Sequence, residues 1–220
     1  MCSNVRLTII DHGNANLRSL IQAIVACGVT PRIAENADNL GESDALVLPG
    51  VGAFGRSMDG LSERGLLAPV RELAVAGIPL LGVCLGMQLL LDSSEEFGNH
   101  RGLGLISGRV TRLTVEGGKV PHVGWAPLIL RASCPILAGL DGCQMYFVHS
   151  YHAEVSDTAD IAATARHGQN HFTAVIRRGN VFGCQFHPER SAVSGLRLIS
   201  QFLSFAQAHS DGRPWKGRVL

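Results

Sequence analysis

Charge of one sign is missing from this chain. Lys and Arg number 19 against 18 Asp and Glu, a formal net charge of +1, and neither sign gathers into a block. Nothing electrostatic therefore favours nucleic acid or a membrane surface as a partner. Long apolar runs are missing too, since none approaches the roughly 20 residues needed to span a bilayer. The opening MCSNVRLTIIDHG has neither a basic start nor a long apolar segment, so no signal peptide is expected and the protein is expected in the cytoplasm. The six cysteines (Cys2, Cys27, Cys84, Cys134, Cys143 and Cys184) lack close spacing and are expected as free thiols in a reducing compartment. No close Cys/His set resembles a zinc pattern, and no metal or other cofactor is expected. His149 and His152 would face opposite sides of a strand. His167 and His171 read as an irregular loop, and His12, His100 and His209 as loop or solvated residues.

Internal repeats, low-complexity segments and linkers are also absent. With 220 residues, 46% of them hydrophobic, the chain can bury a core of ordinary size. One domain is expected over residues 1–210, followed by a loosely held tail, 211–220.

The first half alternates strand and helix signals. VRLTII (Val5–Ile10), TPRIA, ALVLPG (Ala45–Gly50) and PLLGV (Pro79–Val83) read as strands. Leu17–Ala26 has helical spacing, with Gly28 as its stop. Ser57–Ala76 reads as a helix weakened by Gly60, Gly65 and Pro69, and the chain turns helical again after Cys84. Such alternation predicts an α/β fold with a mainly parallel central sheet covered by helices on both faces. From about Leu103 the pattern becomes strand-like: GLISGRVTRL, KVPHVGWAPLIL, QMYFVHSYHAEV, FTAVIRRG and NVFGCQF. Gly179–Asn180 marks a hairpin, and Gly195–His209 is a final helix. The second half thus adds β-structure.

The stretch IPLLGVCLGMQLLL places Cys84 between Gly82 and Gly86, where a strand gives way to a helix. A nucleophile on such a turn is held in a strained backbone and needs small neighbours. The following helix start favours a thiolate, and the Leu85 N–H is placed for an oxyanion. Taken alone, Gly-Val-Cys-Leu-Gly also fits a buried core cysteine. CQFHPER supplies the rest: His187 follows an apolar strand, Pro188 forces a turn and Glu189 comes two residues after the histidine. A cysteine nucleophile needs a base, and the base an orienting carboxylate. LPGVGAFG formally matches Gly-x-Gly-x-x-Gly at Gly50, Gly52 and Gly55, but it follows the wrong strand for a dinucleotide site. It reads better as a glycine loop facing Cys84, able to present a second N–H to an oxyanion.

Together Gly82–Gln88, Pro49–Gly52 and Gln185–Glu189 resemble the class I glutamine amidotransferases in order, spacing and strand context. KVPHVGW (Lys119–Trp125), YFVHSY (Tyr146–Tyr151) and IIDHGNANLRSL narrow the resemblance to the glutaminase subunits of imidazole glycerol phosphate synthases. His12, Ala15, Ala126 and Arg190 stand where that family usually has Tyr, Gly, Asn and Lys. The resemblance implies a flavodoxin-like fold and a catalytic triad of Cys84, His187 and Glu189. It implies an oxyanion hole from Leu85 and Gly52, and glutamine contacts from Gln88, Glu96, Ser150 and Tyr151. It also implies a heterodimer with a (β/α)8-barrel cyclase, with Asn14, Asn16, Trp125, Tyr146 and Arg190 facing that partner. Other readings stay open on the residues alone. They are a paralogue supplying ammonia for amidation of a surface-polysaccharide sugar, a γ-glutamyl hydrolase with the same triad, and a non-catalytic binding subunit.

Overall fold

Parallel strands buried on both faces form the centre of the molecule. The computed structural model describes residues 5–13, 17–115, 119–210 and 212. The first half runs β1 (Leu7–Ile10), α1 (Leu17–Ala26), β2 (Arg32–Ala34), β3 (Ala45–Gly50), α2 (Phe54–Glu63), α3 (Leu67–Val75), β4 (Leu80–Cys84) and α4 (Leu85–Leu89). It continues with β5 (Ser93–Ser94), β6 (His100–Arg101), β7 (Gly108–Arg112), β8 (His122–Pro127), β9 (Ile129–Leu130), β10 (Gln144–His149) and β11 (Tyr151–Val155). The chain then forms β12 (Ile161–His167), β13 (Asn170–Arg178), β14 (Val181–Cys184) and α5 (Ala192–Ser210). The main sheet has the order β2-β1-β3-β4-β14-β13-β12-β9. Its strands from β2 to β14 are parallel, and β13, β12 and β9 continue it antiparallel. Every residue of β1, β3, β4 and β14 is buried, as apolar runs require when both faces are covered.

One apolar cluster joins this sheet to α1, α5, β8 and β10. A second joins it to α2, α3, α4, β7 and β11. α1 reaches the first through Leu20, Ala23 and Ile24, at the i, i+3, i+4 spacing of one helix face. The added β-structure of the second half is shared between the antiparallel strands β13, β12 and β9 of the main sheet and two smaller sheets, β10-β8 and β11-β7-β5-β6, the last of which also takes in β5 and β6 from before Leu103. Among the described residues no helix is long and apolar enough to cross a membrane.

Several expectations need correction. The helix expected over Ser57–Ala76 is two helices, because Gly65 takes φ +66° between them. QMYFVHSYHAEV is not one strand: it changes sheets at Ser150, so β10 pairs with β8 and β11 with β7. His167 and His171 are not in an irregular loop. They pair with Arg166 and Asn170 around the β12–β13 hairpin, with His167 opposite Asn170 and Arg166 opposite His171. His12 is not solvated; it is 1% exposed, with Nε2 2.9 Å from the carbonyl oxygen of Pro49. Asn14, Ala15, Asn16, Cys2 and most of the tail lie outside the described residues.

Candidate active site

The parallel register of three strands brings the chemistry to one edge. Gly50 at the end of β3 pairs with Cys84 at the end of β4, and Val83 pairs with Cys184 at the end of β14. The glycine loop after β3, the β4–α4 turn and the segment after β14 therefore leave the sheet side by side. This is the carboxyl edge, where open α/β sheets place their ligands.

Cys84 sits on that edge with φ 55° and ψ −109°, a conformation that a side chain adopts only under strain. Its glycines are needed for space. A Cβ on Gly86 would overlap the carbonyl oxygen of Leu48, and one on Gly82 would come within 2.6 Å of the Gly86 oxygen. The thiol lies 3.9 Å from the Val148 carbonyl and 3.8 Å from Gln185 Nε2. Leu85 begins α4 directly after it.

His187 Nδ1 is 2.9 Å from Glu189 Oε1, and both side chains are largely buried. Burial alone would lower the imidazole pKa. Hydrogen bonding to Cys84 and to Glu189, with the charges of both, outweighs burial and raises it to about 10. His187 is thus an imidazolium at neutral pH, bracketed by sulfur and carboxylate. Its backbone is pinned as well: its N–H donates to the Tyr146 carbonyl at 3.0 Å, and its own carbonyl accepts from Ser191 Oγ at 2.7 Å.

These groups open into a cavity of about 460 Å3. Its walls include Cys84, Leu85, Gly52, His187, Glu189, Gln88, Glu96, Ser150 and Tyr151, so every sequence-predicted catalytic, oxyanion and substrate residue lines one space. Gly52 takes φ +91° with open space where a Cβ would project. Gln88 Nε2 donates to the Tyr151 carbonyl at 2.9 Å and to Gln185 Oε1 at 3.0 Å. Glu96 Oε2 accepts from the N–H of Phe54 at 2.7 Å, which ties the carboxylate to the first residue of α2, behind the glycine loop. Among the described residues, no group of three or more His, Cys, Asp or Glu is arranged to hold a metal ion.

Of the expected partner-facing residues, Trp125, Tyr146 and Arg190 form a cluster. The Trp125 and Tyr146 rings meet edge-on at 5.6 Å, and the Arg190 guanidinium lies 5.6 Å above the Tyr146 ring. Trp125 is half exposed, and Arg190 also borders the cavity. Asn14 and Asn16 lie outside the described residues. Sequence reasoning missed Gln185, fully buried and touching both Cys84 and Gln88. Its signal was available: two residues before His187, it extends the same motif toward the sulfur. His149 and His122 were missed as well. They pair across β10 and β8, with His122 Nδ1 3.2 Å from His149 Nε2.

Comparison with known proteins agrees with this geometry. A family model described as glutamine amidotransferase class-I matches residues 8–204. A Syntrophotalea carbinolica protein named imidazole glycerol phosphate synthase subunit HisH is 44% identical over 203 residues, covering 89% of this chain and 98% of that one. A Prochlorococcus marinus protein, named subunit HisH 2 of the same synthase, is 44% identical over 211 residues, covering 95% and 99%. Among solved structures, that of PurLQS from Thermotoga maritima superposes with a TM-score of 0.73 at 18% identity, covering 91% of this chain and 98% of that one. The glutaminase domain of Trypanosoma brucei CTPS superposes at 0.64 with 17% identity, covering 98% and 97%. At such identities the two structures speak for the fold alone. The family match and the extent of the sequence identity place the chain in the class I glutamine amidotransferases, among the HisH subunits of imidazole glycerol phosphate synthase.

Proposed function

We propose that this chain is the glutaminase subunit of an imidazole glycerol phosphate synthase. In this reading it is one domain over residues 1–210, acting in the cytoplasm with a (β/α)8-barrel cyclase. The observation that carries it is the strained Cys84 beside a His187 imidazolium held by Glu189, in a cavity that Gln88, Glu96, Ser150 and Tyr151 also line.

The Cys84 thiolate attacks the side-chain amide carbon of glutamine. The N–H of Leu85 and one from the Gly50–Gly52 loop stabilise the tetrahedral oxyanion. As the C–N bond breaks, the His187 imidazolium gives its proton to the leaving ammonia, leaving a γ-glutamyl thioester and a neutral imidazole. That imidazole then takes a proton from water, which attacks the thioester and releases glutamate and the thiolate. Glu189 keeps the ring oriented throughout. Ammonia released into water would be protonated and lose its nucleophilicity. It passes instead to the cyclase, whose products are imidazole glycerol phosphate and an aminoimidazole carboxamide ribotide.

Cys84→Ala tests the reading in the complex with the cyclase. Glutamine-driven synthesis should vanish while ammonia-driven synthesis persists, because Cys84 makes ammonia but does not consume it. Retention of glutamine-driven synthesis by the variant would overturn the assignment. Activation by a surface-sugar synthase and by no histidine-pathway cyclase would move the chain to the paralogous role.

A further inference from the structure

Ser150 and Tyr151 line the cavity at a place where the chain changes sheets. β10 ends at His149 in one sheet, and β11 begins at Tyr151 in another. At this crossing the Ser150 carbonyl accepts from the Leu113 N–H at 2.8 Å, and Tyr151 opens the β11–β7 ladder opposite Arg112. Here the Tyr151 carbonyl acts as a junction. It accepts from Gln88 Nε2 at 2.9 Å and from His149 Nδ1 at 2.9 Å. Gln88 comes from α4, the helix that starts at the nucleophile. Elbow helix, β10 and β11 are thus locked together at one oxygen, beside the peptides that face Cys84.

The bond from His149 needs one tautomer. A carbonyl only accepts, so Nδ1 must carry the proton and Nε2 must be a lone pair in the neutral ring. His122 secures this from β8: its Nδ1 lies 3.2 Å from His149 Nε2 and must be the donor there. The titratable groups facing His149 are His122 on β8, His152 on β11 and His167 on β12, so carboxylate charge does not hold it as a cation. Aromatic packing fixes the pair. His122 stacks on Phe147 at 5.2 Å and on His167 at 4.1 Å, and His149 lies 4.9 Å from Phe172. His167 is anchored in turn, Nε2 donating to the Lys119 carbonyl at 2.7 Å. Two buried histidines in an otherwise aromatic cluster, each with a defined proton, are more than packing requires.

We propose that His149, held in one tautomer by His122, is a positioning residue for glutamine binding, fixing the Tyr151 carbonyl and with it the Ser150–Tyr151 backbone at the cavity. The proposal rests on the glutaminase reading above. His149 touches no reacting atom in this account; it acts through Tyr151. Substrate affinity should therefore suffer more than turnover when it is changed.

Two substitutions separate positioning from packing. In His149→Asn the amide nitrogen falls near the place of Nδ1 and can still reach the Tyr151 carbonyl. In His149→Gln the side chain is closer in size to histidine, but its amide falls near Nε2 and meets His122 instead. Glutamate release is measured in the complex with the cyclase and acceptor nucleotide. His149→Gln should raise KM for glutamine about tenfold, the order of one lost hydrogen bond, with kcat changing less than about threefold. His149→Asn should stay within about threefold of the wild-type KM. A Gln variant equal to or better than Asn, or a parallel change in kcat and KM, would overturn the proposal. Should both His149 variants fail to fold, His122→Phe decides, since it keeps the stacked ring and removes only the donor to Nε2. It should raise KM by roughly threefold, and an unchanged KM would overturn the proposal. A wild-type complex that releases no glutamate would sink the glutaminase reading and this inference with it. A working wild type with indifferent variants would sink the inference alone.

Discussion

Glu189 presents Oε1 to His187 Nδ1 at 2.9 Å, while its other oxygen, Oε2, is buried without a hydrogen-bond partner among the described residues. An unpaired buried carboxylate oxygen is costly, so the contact with His187 is the interaction that offsets the burial of this carboxyl group. The contact in turn fixes the orientation of the imidazole. Yet only His187 moves protons, whereas Glu189 orients and stabilises the ring. His187→Asn should therefore lower kcat by on the order of 10²–10⁴-fold, and Glu189→Gln by less. Glutamate release by folded variants measures both, and equal or reversed losses would mean the roles are misassigned.

The raised pKa of His187 gives a pH signature. Its ordinary value is near 6.5 and its folded value about 10. A raised group stabilises the fold fully below the lower value, and that stabilisation is lost as pH rises through the upper one. NMR titration of His187 should show a midpoint near 10 in the wild type and lower midpoints in Cys84→Ala and Glu189→Gln, each lacking one source of the shift. A wild-type midpoint near 6.5 would contradict the bracketed imidazolium.

The acid side has the opposite sign. His149 is pushed down to about 3 and His122 to about 4, chiefly by burial. For groups depressed in the fold, stability is present above pH 6.5 and lost as pH falls below it. Nearly buried His149 alone should cost about 1.4 kcal/mol per pH unit across that window. Urea unfolding at pH 7 and pH 5 measures the loss, and His149→Asn should flatten the slope. An equally steep slope in the variant would show that other groups carry it.

Gly86→Ala should be severe. The added methyl group would overlap the Leu48 carbonyl inside the paired strands β3 and β4. Overpacking of this kind costs about 1–3 kcal/mol, and glutaminase activity should be lost with the geometry of the elbow. Gly52→Ala meets no atom and should disturb the fold only through its φ of +91°. Melting temperatures of the two variants compare these costs, and a larger drop for Gly52→Ala would contradict the packing argument.

The free subunit should be a poor glutaminase, and the cyclase loaded with acceptor nucleotide should raise its rate by orders of magnitude. The glycine loop beside the elbow lets one oxyanion donor be misoriented at rest. Losing one such donor costs roughly 10²–10³ in rate. Glutamate release by the subunit alone, with cyclase, and with cyclase plus nucleotide tests this. Full activity of the isolated subunit would reject the idea of a latent donor.

What could be read in advance depended on how local the signal was. The strands β1, β3, β4 and β14 are apolar runs bounded by turn residues, and the motif around Cys84 carries its own spacing. β12, with the sequence IAATARH, went unread because alanine is a weak strand former; only its partners β13 and β9 make it a strand. The break at Ser150 was illegible for a related reason. Nothing in QMYFVHSYHAEV records that its two halves join different sheets. His122 and His149 are side chains whose importance lies in distances across the fold, which spacing along the chain does not encode. His12 does lie in a loop, as its polar neighbours suggest, but it is not solvated, because Pro49 and Gly60 close over it.

The attachment of His187 to β10 has an evolutionary consequence. The backbone of Tyr146 takes the N–H of His187 on its carbonyl and gives its own N–H to Ser191 Oγ, while its ring belongs to the cluster with Trp125 and Arg190. One residue thus joins the proposed docking face to the mounting of the proton-transfer group. Arg190, next in the chain after Glu189, ties the two a second time. Drift at this face is therefore judged twice, once by the partner and once by the chemistry. A lineage that changed its cyclase would have to retune its base in the same steps, so the two subunits are expected to diverge as a pair.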